Sequence, residues 1–201
     1  MSGFNKVSSR FHSFAFVAFL LLAISATAPA DSIKNLSKIK NFGRISDNYY
    51  RGAQPQGHDY ADLSALGIRT VINLTSDDAE VNEKTMVENT GMNYYQIPMN
   101  THVPPTTVQL AEFLRIVNDP ASQPVYVHCV GGRHRTGVMT AVHRMMQGWS
   151  ADQAFKEMKQ YDFGPSFLHS EFKSFVFHYY DTLVHTKTVP VLAVVGAKAG
   201  N

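Results

Sequence analysis

The strongest constraint on this chain is an alternation. Short runs rich in β-branched and aromatic residues, Thr70 to Leu74, Asn93 to Ile97 and Pro124 to His128, are separated by segments with helical periodicity. The first and last of these runs are apolar almost throughout, the pattern of strands buried on both faces. Before the first run Tyr60, Leu63 and Leu66 recur at helical spacing and stop at Gly67, and after it Ala79 to Thr90 is helix-compatible up to Gly91. Thr106 and Gln109 have capping-box spacing ahead of Leu110, Phe113, Leu114 and Val117, and Asp119-Pro120 closes that helix. Val138, Ala141, Val142, Met145 and Met146 mark a further helix face. Ser150 and Gln153 repeat the capping box before Ala154, Phe155 and Met158. Two short strands at 41–46 and 49–52 precede all of this, and a last helix is expected over 167–183. Alternating strands and helices predict one α/β domain: a central, mainly parallel sheet of four to five strands flanked by helices. No internal repeat or linker divides the chain. A polar lead-in at 31–40, a domain at 41–185 and an unplaced tail at 186–201 complete the expected organisation.

The first thirty residues read differently. Lys6 and Arg10 open a basic start, Phe14 to Ile24 is an unbroken apolar run, and Ala28-Pro29-Ala30 suits cleavage after Ala30. The run is shorter than the roughly 20 residues that span a bilayer. Residues 1–30 are therefore expected to be a signal peptide and the protein to be exported, periplasmic or secreted, without membrane contact after cleavage. The alternative is a tether formed by an uncleaved segment. Removing Lys6 and Arg10 from 18 basic residues leaves 16, equal to the 16 acidic ones. The net charge of +2 thus comes from the leader, and no nucleic-acid partner is expected.

One cysteine in 201 residues excludes an intrachain disulfide framework and a Cys-rich zinc module. A lone cysteine after a buried strand ordinarily packs as a small hydrophobe. Cys129, however, opens the segment Cys129-Val130-Gly131-Gly132-Arg133-His134-Arg135-Thr136-Gly137, between the strand ending at His128 and a helix start. A loop entering a helix N-terminus turns successive backbone N–H groups into one concavity that suits a phosphate. Gly131 and Gly132 permit the tight curvature. The same field favours the thiolate of a cysteine in the loop. Arg135, six residues on, can grip two phosphate oxygens as a bidentate fork, and Thr136 places a hydroxyl near the sulfur.

Cys, five residues, Arg, then Thr-Gly resembles the signature of the protein tyrosine and dual-specificity phosphatases. Asn41-Phe42-Gly43-Arg44-Ile45, Tyr50-Arg51-Gly52-Ala53-Gln54-Pro55 and Leu66 to Leu74 look like the N-terminal part of the compact, atypical dual-specificity type. The resemblance covers most of 41–185. It implies a Cys-dependent phosphoric monoester hydrolase acting on phosphotyrosine-like or dual-specificity substrates through a phosphocysteine intermediate. Cys129 would be the nucleophile. The N–H groups from Val130 through Gly131, Gly132, Arg133 and His134 to Arg135, with the Arg135 guanidinium, would hold the phosphate. His128 would support the cysteine by hydrogen bonding. No metal or organic cofactor is implied, and the partner is a phosphorylated protein or a small phosphate ester.

One element of the pattern is missing. Family members usually supply a general acid from an Asp about thirty residues before the cysteine. Here that region reads Ile97-Pro98-Met99-Asn100-Thr101-His102-Val103-Pro104-Pro105, without a carboxylate. His102 and His134 are the candidate acids, and Asp77, Asp78 and Glu80 lie at a strand end that could fold over the site. Of the other histidines, His143, His169, His178 and His185 lack metal-ligand spacing and read as core or surface residues. Three alternatives remain open. One is a phosphatase-like pocket that binds phosphorylated ligands with little turnover. Another is an inositol-phosphate phosphatase using Arg133, Arg135, Lys84 and Arg51. The third is a sulfurtransferase of rhodanese type, which would need tighter Cys-to-Arg spacing and no Thr-Gly.

Overall fold

The computed structural model describes residues 35–76, 80–165 and 169–196, with side chains described as far as Thr186. Strands β1 (Gly43–Ser46), β2 (Tyr49–Gly52), β3 (Thr70–Asn73), β4 (Asn93–Gln96) and β5 (Val125–His128) form one sheet in the order β1-β2-β5-β3-β4. β1 and β2 pair antiparallel as a hairpin, and every other pairing is parallel. The mixed, mainly parallel five-stranded sheet agrees with the expected fold class. β5 lies at its centre, with Val125 opposite both Tyr49 and Thr70, and His128 opposite both Gly52 and Asn73.

Side chains alternate across a strand, so β5 serves two layers at once. Val125 and Val127 face a core built with Ile72, Tyr49, Phe113, Ile116 and Met139. That layer is covered by α3 (Thr107–Val117) and α4 (Arg135–Met146). Tyr126 faces the opposite core, with Val71, Tyr60, Leu63 and Val87, under α1 (Asp59–Ala65) and α2 (Glu83–Glu88). α5 (Ala151–Gln160) and α6 (Ser170–Gly196) pack outside α4 through Val138, Val142, Phe155, Phe163, Phe172 and Val176. Both predicted capping boxes form. The Thr106 hydroxyl accepts from the Gln109 N–H while the Gln109 side chain accepts from the Thr106 N–H, and Ser150 and Gln153 do the same.

Several boundaries differ from expectation, each for a local reason. β1 starts at Gly43 because Asn41 sits at φ 56°, outside strand geometry. The helix expected over 79–90 spans only Glu83–Glu88. Val81 is 92% exposed, so no buried face extends the helix backwards, and Asp77 to Ala79 lie outside the described residues. The stretch read as a polar lead-in contributes Leu36 and Ile39 to the core, so packing begins before residue 41. α6 continues beyond Leu183, and the expected start at Phe167 lies outside the described residues. So does the segment 1–30. Among the described residues no helix is long and apolar enough to cross a membrane.

Candidate active site

The loop after β5 runs from Cys129 to His134, and Arg135 is the first residue of α4. Cys129 is 3% exposed and lies at a cavity of about 220 Å³ lined by Thr101, Val130, Gly131, Arg133, His134 and Arg135. Three consecutive carbonyls of the loop are bonded from outside. The Gln54 N–H donates to Val130 O at 3.2 Å, Asn41 Nδ2 donates to Gly131 O at 2.9 Å, and Arg51 Nη2 donates to Gly132 O. A trans peptide plane points its C=O and the following N–H in opposite directions. Turning the carbonyls of residues 130–132 outward therefore turns the N–H groups of Gly131, Gly132 and Arg133 inward, as an anion cradle needs. Gly132 sits at φ +65°, and a Cβ there would collide with the backbone of Gly52 and Ala53.

Arg135 is 3% exposed, lines the cavity and donates from Nη1 to Met99 O at 3.2 Å. That bond ties the phosphate loop to the segment where the sequence lacks an acid. The Thr136 hydroxyl is buried without a hydrogen-bond partner among the described residues. Thr101 reaches the cavity wall, and the neighbouring His102 is exposed, its N–H held by Asn100 Oδ1 at 2.8 Å. The His102 ring stacks on His169, with centroids 5.8 Å apart. His169 in turn lies 3.6 Å from the His134 ring centroid. His134 Nε2 is 3.0 Å from Phe163 O. Burial, with the charges of His169, Arg133 and Arg135, pushes the His134 pKa down to about 4 against the opposing pull of the Phe163 carbonyl. His169, read from the sequence as an ordinary histidine, thus joins the two candidate acids.

His128 is the last residue of β5. Strand alternation sends its ring to the α2 side, where Nε2 is 2.9 Å from Glu83 Oε1, both side chains fully buried. Gln54 Nε2 donates to the same oxygen at 2.6 Å and Tyr60 Oη at 3.2 Å, while Asn73 Nδ2 donates to Oε2. Burial raises the Glu83 pKa, but His128 and these donors outweigh it and hold the carboxyl below its ordinary value. The sequence marked neither Glu83 nor Asn73 as part of the site's support. Asn41 and Gln54 appeared only inside blocks of resemblance, and Arg51 there and as a candidate ligand for an inositol phosphate. Arg51 is buried behind the loop and does not line its cavity; Lys84 is exposed on α2, 3.9 Å from Glu88.

Two further hollows flank the loop. One of about 500 Å³ is lined by Lys40, Asn41, Val130, Gly131, Arg133 and Asp162. The other, about 560 Å³, has Lys38, Lys40, Gln54, Asp59 and Glu80 among its lining. Among the described residues no group of three or more His, Cys, Asp or Glu is arranged to hold a metal ion.

Residues 36–192 match the tyrosine phosphatase family. The chain belongs to that family. Its activity class follows: it is a Cys-dependent phosphatase of phosphate monoesters. A Dictyostelium discoideum relative, "Probable tyrosine-protein phosphatase DG1060", is 30% identical over 60% of this phosphatase and 75% of its own length. The dual specificity protein phosphatase TpbA of Pseudomonas aeruginosa is 30% identical over 62% of this chain, but the match spans only 56% of TpbA. The solved catalytic core of the Saccharomyces cerevisiae SIW14 phosphatase superposes with a TM-score of 0.62 at 26% identity, covering 69% of this phosphatase and 84% of that chain. TpbA solved with phosphotyrosine gives 0.58 at 26% identity, covering 68% and 82%. The match to the full-length yeast protein, named an inositol diphosphatase, spans 46% of its length.

Proposed function

We propose that Cys129 is the nucleophile and that the loop N–H groups with Arg135 hold the transferring phosphoryl group. The observation that carries this is the outward anchoring of the Val130, Gly131 and Gly132 carbonyls around a buried cysteine. The Cys129 sulfur attacks phosphorus in line, a P–S bond forms, and the P–O bond to the leaving group breaks. The inward N–H groups and the Arg135 guanidinium stabilise the charge that develops on the equatorial oxygens. The Thr136 hydroxyl is free to bond the sulfur when it leaves. Water then attacks phosphorus, releasing phosphate and thiolate.

His102 is the acid in this reading. His134 has Nε2 engaged with the Phe163 carbonyl and, with a pKa near 4, carries no second proton near neutral pH. His102 follows Thr101 of the cavity wall. The segment 97–105 has no carboxylate, and an aryl oxygen leaves with less proton assistance than an alkyl one, so we assign phosphotyrosine-like aryl esters as the preferred class. Inositol polyphosphates are the second reading. Lys38, Lys40 and Arg133 in the flanking hollows favour it, with Asp59, Glu80 and Asp162 on the same walls opposing it. Export is part of the proposal: removal of residues 1–30 leaves Asp31 as the N-terminal residue, and sequencing the protein recovered from its producing cell reads it directly.

The deciding experiment is phosphate release from a phosphotyrosine peptide, a phosphoserine peptide and inositol hexakisphosphate, with Cys129→Ser and His102→Ala alongside. Cys129→Ser should abolish release from every substrate. His102→Ala should slow the alkyl ester by about 10²-fold, the range of a positioned acid, and the aryl ester by much less. Equal losses on both would remove His102 from the acid's role. Release by Cys129→Ser at the wild-type rate would remove Cys129 from the nucleophile's.

A further inference from the structure

Arg51 is fully buried at the end of β2, behind the phosphate loop. A guanidinium keeps its charge at physiological pH, and a buried charge requires an anion nearby. Arg51 makes no ion pair among the described residues. Nη2 donates to Gly132 O, while Nε and Nη1 are buried without an acceptor. The Tyr161 ring lies against the guanidinium, 4.1 Å from Cζ to centroid, and offers only its π face.

Burial pushes the Arg51 guanidinium below its ordinary pKa, and four groups act electrostatically against that: Tyr49, Tyr161, Cys129 and Glu157. Three of them are spoken for. Burial raises the Tyr49 and Tyr161 phenols, so both are neutral near pH 7. The Glu157 carboxylate is engaged by Arg144, at 2.7 Å from Nη2 and 3.1 Å from Nε. Cys129 is the one whose anion is not already matched.

We propose that Arg51 is a positioning residue whose buried charge is matched by the Cys129 thiolate and then by the phosphoryl group bound to it. The resting fold holds an incomplete ion pair, and the anions of the reaction complete it. Arg51 acts from behind the loop, where it never touches substrate oxygens, and also holds the Gly132 carbonyl outward. Arg135 lines the substrate cavity on the other side. The proposal rests on Cys129 being the nucleophile.

Cys129 is the only cysteine of the chain, so alkylation by iodoacetamide reports on it alone. The quantity to measure is the alkylation rate at pH 6.5 divided by the rate at pH 9.5, for the full chain and for Arg51→Gln and Arg51→Lys. Gln keeps a donor for Gly132 O without the charge; Lys keeps the charge. Arg51→Gln should lower the ratio at least tenfold, and Arg51→Lys should stay within threefold of wild type. An unchanged ratio in folded Arg51→Gln overturns the proposal, as does an equal fall in both variants, which would make loop shape rather than charge the cause. If circular dichroism shows Arg51→Gln unfolded, Arg51→Lys decides: a ratio within threefold supports the proposal and a larger fall overturns it. Failure of the nucleophile assignment is seen separately, as phosphate release retained by Cys129→Ser.

Discussion

Gly132→Ala tests whether the loop's curvature is a backbone requirement. Gly132 sits at φ +65°, where an L-residue costs about 1–2 kcal/mol. Its new Cβ would also press on Gly52 and Ala53, backbone that cannot swing aside because Gly52 is paired with His128 in the sheet. Overlap of that kind costs about 1–3 kcal/mol. The total, about 2–5 kcal/mol, falls on the loop, since the loop is the less restrained partner. Relief would shift the Gly132 carbonyl from Arg51 and tilt the next N–H out of the cavity. At 1.36 kcal/mol per tenfold, kcat/KM for an aryl phosphate should fall between about 30-fold and a few thousand-fold. Gly131→Ala is the control. Gly131 is not left-handed, and its Cβ would meet Arg133 Nε at 3.2 Å, the end of an exposed, flexible side chain. It should stay within about threefold of wild type. Steady-state kinetics with urea midpoints for both variants is the assay. Equal effects of the two substitutions would refute the reasoning, and so would a Gly132→Ala protein with wild-type kcat/KM.

Two predictions concern stability. The His143 pKa is pushed down to about 4 by burial and by Arg144, and the ring is 7% exposed, stacked on Tyr49 with Nε2 3.0 Å from Gln147 Nε2. The unfolded chain takes up this proton first, near pH 6.5, so the contribution is whole above that pH and is lost as pH falls towards 4. A fall from 6.5 to about 4 corresponds to about 3 kcal/mol. His143→Phe should therefore flatten the fall in urea midpoint between pH 7 and 4.5, and an unchanged fall would count against it. Glu83→Ala strands His128, Gln54 and Asn73 without their shared acceptor and should cost about 3–5 kcal/mol. Glu83→Gln, which keeps one acceptor oxygen, should cost less; a loss below about 1 kcal/mol for Glu83→Ala in thermal unfolding would contradict the network's importance.

What was legible in the sequence was local. The capping boxes at Thr106 and Ser150 and the strand-loop-helix around Cys129 follow from residues a few positions apart, and the structure forms all of them. What was not legible depends on contacts across the chain. Glu83 lies in a polar stretch that reads as a solvated helix face. Its burial follows only once Gln54, Tyr60, Asn73 and His128 converge from other elements. Arg51 reads as an available cation until β2 is placed beside β5, which buries it under the loop. His169 carries no local sign of its place, because the turn leading into α6 brings it to His134 from 35 residues away. The pairing of His128 with Glu83 was equally hidden, because strand alternation turns the ring towards an element 45 residues earlier in the chain.

The same strand alternation explains why the support of the site is divided between two distant parts of the chain. β5 carries His128 towards α2 and leads directly into Cys129, so the Glu83 network fixes the strand from one face while the loop leaves its end. The cradle itself is completed by Asn41, Arg51 and Gln54, each bonding one loop carbonyl. A neutral bond of this kind contributes about 1 kcal/mol net and a charged donor about 1.5–3. Three of them hold a conformation that the loop's own sequence permits through Gly132 but does not enforce. The blocks at 41–45 and 50–55 thus belong with the Cys129 loop although some eighty residues separate them. One supplies the concave wall of N–H groups, and the other turns that wall to face the phosphate.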